Sequence, residues 1–108
     1  WVTSIVSNRV IRITPDGKKQ TIIEDNIFAH LDWVEEAYLN SNLERRHLDK
    51  SGGKILKNIS SLAFGGRDMK TVYLGCLQGD SIATFRSSIA GAKPAHWQPK
   101  ALEALYFK

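Results

Sequence analysis

Five polar side chains stand at predicted loop or strand-end positions where they could contact a substrate: Asn8, Asn58, Ser60, Ser61 and Asp80. Their amide, hydroxyl and carboxylate oxygens can hydrogen-bond a polar small molecule or orient a water molecule. Hydroxyl groups at strand ends are, alternatively, often bonded to the nearby backbone. The sequence therefore predicts these five as substrate-lining residues and identifies no catalytic residue.

A second polar group lies between the two strand-rich parts of the chain and comprises His30, Arg45, Arg46 and His47. The histidines do not have the spacing of a metal-binding motif. The arginines could form exposed ion pairs with acidic neighbours, and such pairs contribute little to stability. We interpret the four residues as part of a lid or rim over a site.

The acidic residues do not form a cation-binding motif. The chain has 11 of them, and none stands in the aspartate-rich spacing of a calcium loop. Calcium requires six to eight oxygens that converge on one point, and Asp80 is the sole carboxylate in the predicted loops near the site. The 108-residue chain by itself is therefore predicted to hold no divalent metal tightly and to be catalytically inert.

Composition excludes several classes of protein. The chain has 108 residues, 43% of them hydrophobic, and a formal net charge of +4, which suits a globular domain. Its basic residues are scattered, whereas nucleic-acid modules cluster them, so no nucleic-acid partner is expected. No apolar run could span a bilayer, so no membrane partner is expected. The single cysteine, Cys76, favours a reducing compartment, and the cytoplasm is the favoured location.

An internal repeat indicates how these residues are positioned. Residues 1–13 align without a gap on residues 73–85, so that Trp1 falls on Tyr73 and Asn8 falls on Asp80. Repeated sheet units are typical of β-propellers and related arrays, in which no unit buries its faces alone. The unit at the start has no inner strand before Trp1. The chain is therefore expected to be either a processed or truncated part of a longer polypeptide or a genuine short protein that associates with a second chain.

The chain divides into four parts. Residues 1–25 are predicted to hold three strands, with a turn at Thr14-Pro15-Asp16-Gly17. Residues 26–57 change to a helical period and predict one amphipathic helix over about 28–40, with Phe28, Leu31, Val34 and Tyr38 on its apolar face. Residues 58–92 form a second strand-rich unit. Residues 93–108 are a tail whose stretch 102–107 fits either a helical turn or a strand.

The two strand-rich parts resemble the senescence marker protein, gluconolactonase and luciferin-regenerating-enzyme-like family. The resemblance is carried by Trp1-Val-Thr-Ser4, Asn8-Arg-Val-Ile-Arg-Ile13, Pro15-Asp-Gly17, Ile59-Ser-Ser-Leu-Ala-Phe-Gly-Gly-Arg-Asp-Met-Lys-Thr-Val-Tyr73 and Thr84-Phe-Arg86. It covers residues 1–25 and 58–92 well, and residues 26–57 and the tail poorly.

The resemblance implies a mainly β fold, a partial six-bladed β-propeller of about two antiparallel blades with one inserted helix. Residues 1–25 would be part of the penultimate blade, 26–57 a helical insertion at the channel face, 58–92 the last blade and 93–108 the C-terminal tail. It also implies a divalent metal, usually calcium, in the parent protein. The family's metal ligands would all lie outside this chain, because they come from earlier blades and from a strand ahead of Trp1. In the last blade, the position like that of the aspartate ligand falls near Ser60, which is not a carboxylate.

The implied function is that of a metal-dependent lactonase-like hydrolase that acts on sugar-acid lactones or similar cyclic esters. The alternative is a non-catalytic propeller that serves as a ligand-binding or interaction scaffold, because a fold does not fix a function. The implied partners are a small-molecule lactone and either the remainder of the propeller or another copy of the chain.

Overall fold

A computed structural model describes residues 1–97 of the protein, and these residues are mainly β. The elements, in chain order, are β1 (Val2–Ser4), β2 (Arg9–Ile13), β3 (Lys19–Glu24), α1 (Phe28–Leu39), α2 (Arg45–Asp49), β4 (Ile59–Gly65), β5 (Thr71–Cys76), β6 (Ala83–Arg86) and a 3-10 turn at Ala95–Trp97. The predicted mainly β class is confirmed. The interpretation of residues 102–107 falls outside the described residues.

The strands form two antiparallel meanders of three strands each, in the orders β1-β2-β3 and β4-β5-β6. The repeat in the sequence is also a repeat in strand register. Val2 pairs with Ile11, and Leu74 pairs with Ala83, so both partners are displaced by the same 72 residues. The hairpin β1–β2 is therefore equivalent to the hairpin β5–β6. The first sheet adds a strand after this hairpin, and the second sheet adds one before it.

The two sheets pack together with β1 beside β4. The shared core is formed by Val10, Leu56, Ile59, Val72 and Leu74, each buried. At its edge the ring of Trp1 meets the ring of Phe64 in an edge-to-face arrangement, with centroids 5.0 Å apart. This geometry is one of the two that aromatic pairs prefer.

The predicted helix over about 28–40 is confirmed as α1, but the prediction of a single inserted helix is wrong. Residues 45–49 form a second helix that is too short to show an apolar period. Its start is fixed by a capping box, in which the Glu44 N–H donates to His47 Nδ1 at 3.0 Å and the Glu44 side chain accepts from the His47 N–H. Such reciprocal bonds satisfy the free donors of a first turn.

The predicted apolar face of α1 is only partly packed. Val34 and Ala37 are buried, but Phe28 is 73% exposed and Tyr38 is 68% exposed. The periodicity of the apolar residues predicted that one face of the helix would be packed against the rest of the protein. The helix instead buries His30 beside Val34 and Ala37, and the remaining apolar residues line an open groove of about 570 Å³. The insertion therefore presents an uncovered apolar surface.

Candidate functional site

Three separate segments converge at one end of the sheets and enclose a cavity of about 400 Å³. They are the β1–β2 turn, helix α2 and the turn that follows β5. The lining residues are Ile5, Val6, Arg45, Leu48, Asp49, Leu77 and Gln78. The turns 14–17 and 66–69 lie between other strands and do not line this cavity. The two equivalent hairpins thus meet the helical insertion at the same end of the molecule.

Asn58 is one of the predicted substrate-lining residues, and the structure buries it at the base of the insertion. It is 1% exposed and has a φ of 61°, in the left-handed region. Its Oδ1 accepts the Gly52 N–H at 3.2 Å, and its Nδ2 donates to the carbonyls of Leu48 at 2.9 Å and Lys50 at 3.4 Å. In this arrangement the side chain holds the end of α2 against β4.

Asn8, the second predicted amide, lies at the junction of the two sheets. It is fully buried, has a φ of 45°, and its Oδ1 accepts the Ile59 N–H at 3.2 Å. Its own carbonyl accepts the Asp25 N–H at 3.0 Å. Its Nδ2 has no hydrogen-bond partner among the described residues. Asn8 therefore joins the β1–β2 turn to the first residue of β4.

The other three predicted residues are exposed and stand apart from the buried amides. The Ser60 hydroxyl donates to the Gly75 carbonyl at 3.3 Å. This is the alternative given above, in which a hydroxyl at a strand end is bonded to the nearby backbone. Ser61 follows it at an irregularity in the pairing of β4 with β5. Asp80 lines a separate open cleft beyond β5 that also contains Lys57 and Gln78. The structure therefore does not bring the five residues into one site.

The four lid residues divide into two exposed arginines and two buried histidines. Arg45 pairs with Asp49 at 3.1 Å, and Arg46 pairs with Glu44 at 3.0 Å. Both ion pairs are exposed, as predicted, and such pairs contribute little to stability. His47 is 2% exposed and stacks near Trp33, with ring centroids 4.3 Å apart. Only Arg45 of the four lines the cavity at the shared end.

The ring of His30 also lies near that of Trp33, with ring centroids 5.8 Å apart. It is 6% exposed, and its Nδ1 has no hydrogen-bond partner among the described residues. Burial lowers the pKa of His30 below its ordinary value, and the ammonium of Lys50 lowers it further. Both effects favour the neutral imidazole.

Asp25 is a residue that the sequence analysis missed. Its Oδ1 accepts the N–H of Lys54 at 3.1 Å, and its Oδ2 accepts those of Ile55 at 2.8 Å and Leu56 at 2.7 Å. Burial by itself would raise the pKa of Asp25, but the three backbone N–H groups lower it, and the net shift is downward. The partners lie 29 to 31 residues further along the chain, so no local pattern could have identified them.

The described residues do not provide a metal centre. Within residues 1–97 no group of three or more His, Cys, Asp or Glu side chains could hold a metal ion. The Oδ1 atoms of Asn8 and Asn58 are both engaged by backbone N–H groups. These residues by themselves therefore do not fit the oxygen-rich calcium site that the family resemblance implies.

Comparison of the chain with protein-family models, with curated proteins and with solved structures finds no significant match in any of the three. No helix of the described residues is long and apolar enough to cross a membrane.

Proposed function

We propose that this chain supplies two adjacent blades of a β-propeller hydrolase of the gluconolactonase type, and that the other blades supply the metal and its ligands. The observation that carries the proposal is the shared register of the two hairpins. Because they share this register, the hairpins β1–β2 and β5–β6 would both occupy the second and third strand positions of a blade. β3 would then be the fourth strand of the first blade, and β4 would be the first strand of the second blade. Combined, these positions make a four-stranded blade, the unit of a propeller.

The connection between the sheets supports the same proposal. It runs from β3, the last strand of one meander, to β4, the first strand of the next, through the insertion at 25–58. The insertion and the two hairpin turns then meet at one end around the cavity of about 400 Å³. In a propeller this end would be the rim of the channel, so Arg45 and Gln78, which line the cavity, would contact a substrate there.

Open strand edges and the uncovered face of α1 support the proposal that this chain associates with a partner. Among residues 1–97, β1 and β6 each hydrogen-bond to one strand only, so each has an edge that a further strand could pair with. Phe28, Tyr38 and Leu39 add large exposed apolar surface on the insertion. The partner would be the remainder of the propeller or another copy of this chain.

The catalytic part of the proposal is tested by assay of the longer polypeptide that contains this chain. We expect it to hydrolyse a sugar-acid lactone such as gluconolactone, to lose the activity on chelation and to regain it with calcium. The isolated 108-residue chain is the control: it should be inactive, and calorimetric titration with calcium, magnesium and manganese should detect no micromolar binding.

Two outcomes would contradict this proposal in different ways. Absence of lactone hydrolysis in a folded longer polypeptide would favour the interaction-scaffold alternative. Micromolar, one-to-one metal binding by the isolated chain would mean that the insertion supplies the metal ligands.

A further inference from the structure

A cavity of about 360 Å³, not described above, lies between the first turn of α1 and the segment that follows α2. Its walls are formed by Ile27, Ala29, His30, Trp33, Lys50 and Ser51. This volume is within the range of small-molecule sites, which are mainly apolar with a few polar groups that converge. None of its six residues lines the cavity at the shared end of the sheets.

The cavity combines an aromatic surface with a free positive charge. Lys50 Nζ lies 5.6 Å from the centroid of the Trp33 ring, within the range of a cation–π contact. Lys50 forms no ion pair with an acidic side chain of residues 1–97. The Ser51 hydroxyl lies in the same wall, where it makes one long hydrogen bond, to the Gly53 carbonyl at 3.5 Å. An anionic group bound here would meet the ammonium, and a flat ring beside it would meet the indole.

The walls are held in place before any ligand arrives. The carbonyl of Lys50 accepts from Asn58 Nδ2 at 3.4 Å, and the carbonyl of Gly52 accepts the Ile27 N–H at 2.9 Å. A side chain at Gly52 would clash, since an added Cβ would lie 2.7 Å from His30 Cδ2. These contacts fix the two walls relative to each other, which reduces the ordering cost of binding.

We propose that this cavity binds a small planar carboxylate, with its ring on Trp33 and its carboxylate on the Lys50 ammonium and the Ser51 hydroxyl. His30 also lines the cavity, and its Nδ1 is buried without a hydrogen-bond partner among residues 1–97. The site belongs to the insertion and does not depend on the propeller or the lactonase proposal.

Benzoate is a suitable probe, and benzyl alcohol is its uncharged match. Titration followed by the NMR signal of the Trp33 indole N–H, assigned with Trp33→Phe, should show saturable benzoate binding with a dissociation constant of about 1 mM or tighter, the level that a fragment of this size reaches. Lys50→Gln should weaken benzoate about threefold, as expected for an exposed ion pair, and leave benzyl alcohol unchanged. Lys54→Gln, an exposed lysine outside the cavity, should behave as the wild type.

The proposal is overturned if benzoate and benzyl alcohol bind equally, if Lys50→Gln leaves benzoate affinity unchanged, or if the Trp33 signal does not move. Lys50 is exposed, so its replacement should preserve the fold, and an unchanged amide spectrum will verify this. A conservative Lys50→Arg variant should retain benzoate binding.

Discussion

Asn58→Ala is expected to lower the free energy of unfolding by about 4 kcal/mol. The change removes the partner of the buried Gly52 N–H and of the Leu48 carbonyl, and each buried group left unpaired costs about 1–3 kcal/mol. Alanine must also adopt the φ of 61°, at a cost of about 1–2 kcal/mol. Chemical denaturation of the variant and the wild type measures the difference.

Two variants separate the causes of this loss. Asn58→Gly accepts the positive φ and loses the same hydrogen bonds, so it should be more stable than Asn58→Ala by about 1 kcal/mol. Asn42→Ala, an exposed asparagine of the same insertion, should change stability by less than about 0.5 kcal/mol. If Asn58→Ala is as stable as the wild type, Asn58 does not hold the insertion, and its predicted role as a substrate-lining residue is favoured.

Asp25→Ala is expected to destabilise the protein by about 3 kcal/mol. Three backbone N–H groups lose a charged acceptor, and hydrogen bonds to charged groups are worth about 1.5–3 kcal/mol each when buried. We reduce the sum because Asp25 is half-buried and Lys54 and Ile55 are exposed, so water replaces part of the loss. The exposed Asp80→Ala is the matched control and should be nearly neutral.

The contribution of Asp25 also depends on pH. Because its pKa is lower in the folded protein than the ordinary 3.8, the unfolded chain binds the proton more readily. The stabilisation is therefore complete above the unfolded pKa and is lost as the pH falls through the folded pKa. Acid titration should show a shallower loss of stability in Asp25→Asn than in the wild type as the pH falls below the ordinary value of 3.8. An equal slope would contradict the role assigned to these bonds.

Local patterns were sufficient for most of the sheet. Thr71–Cys76 was predicted with the bounds observed, because alternating apolar residues between turn residues define a strand. The turn at Thr14-Pro15-Asp16-Gly17 was predicted from its residue types, and Gly17 has the positive φ of 84° that such a turn uses. The equivalence of the two hairpins was indicated by the internal repeat, and their shared register is an observation of the structure.

Contacts between distant segments were not predictable in the same way. Asn8 and Asn58 were identified as polar positions, but their burial depends on Ile59, Gly52 and Leu48, which only the fold brings to them. The same holds for the approach of Lys50 to Trp33, which lie on different elements. Helix α2 was missed because it is five residues long and its cap uses a histidine in place of the usual residues.

The central claim is that the two sheets are blades of a larger ring, which copies of this chain should complete by self-association when the rest of the propeller is absent. Light scattering coupled to size exclusion, across a wide range of concentration, tests it most directly. The account predicts a mass of at least twice the 12.1 kDa of one chain at the higher concentrations. A stable particle of 12.1 kDa at every concentration would contradict it, because such a monomer would tolerate the open strand edges and the exposed face of α1 without a partner.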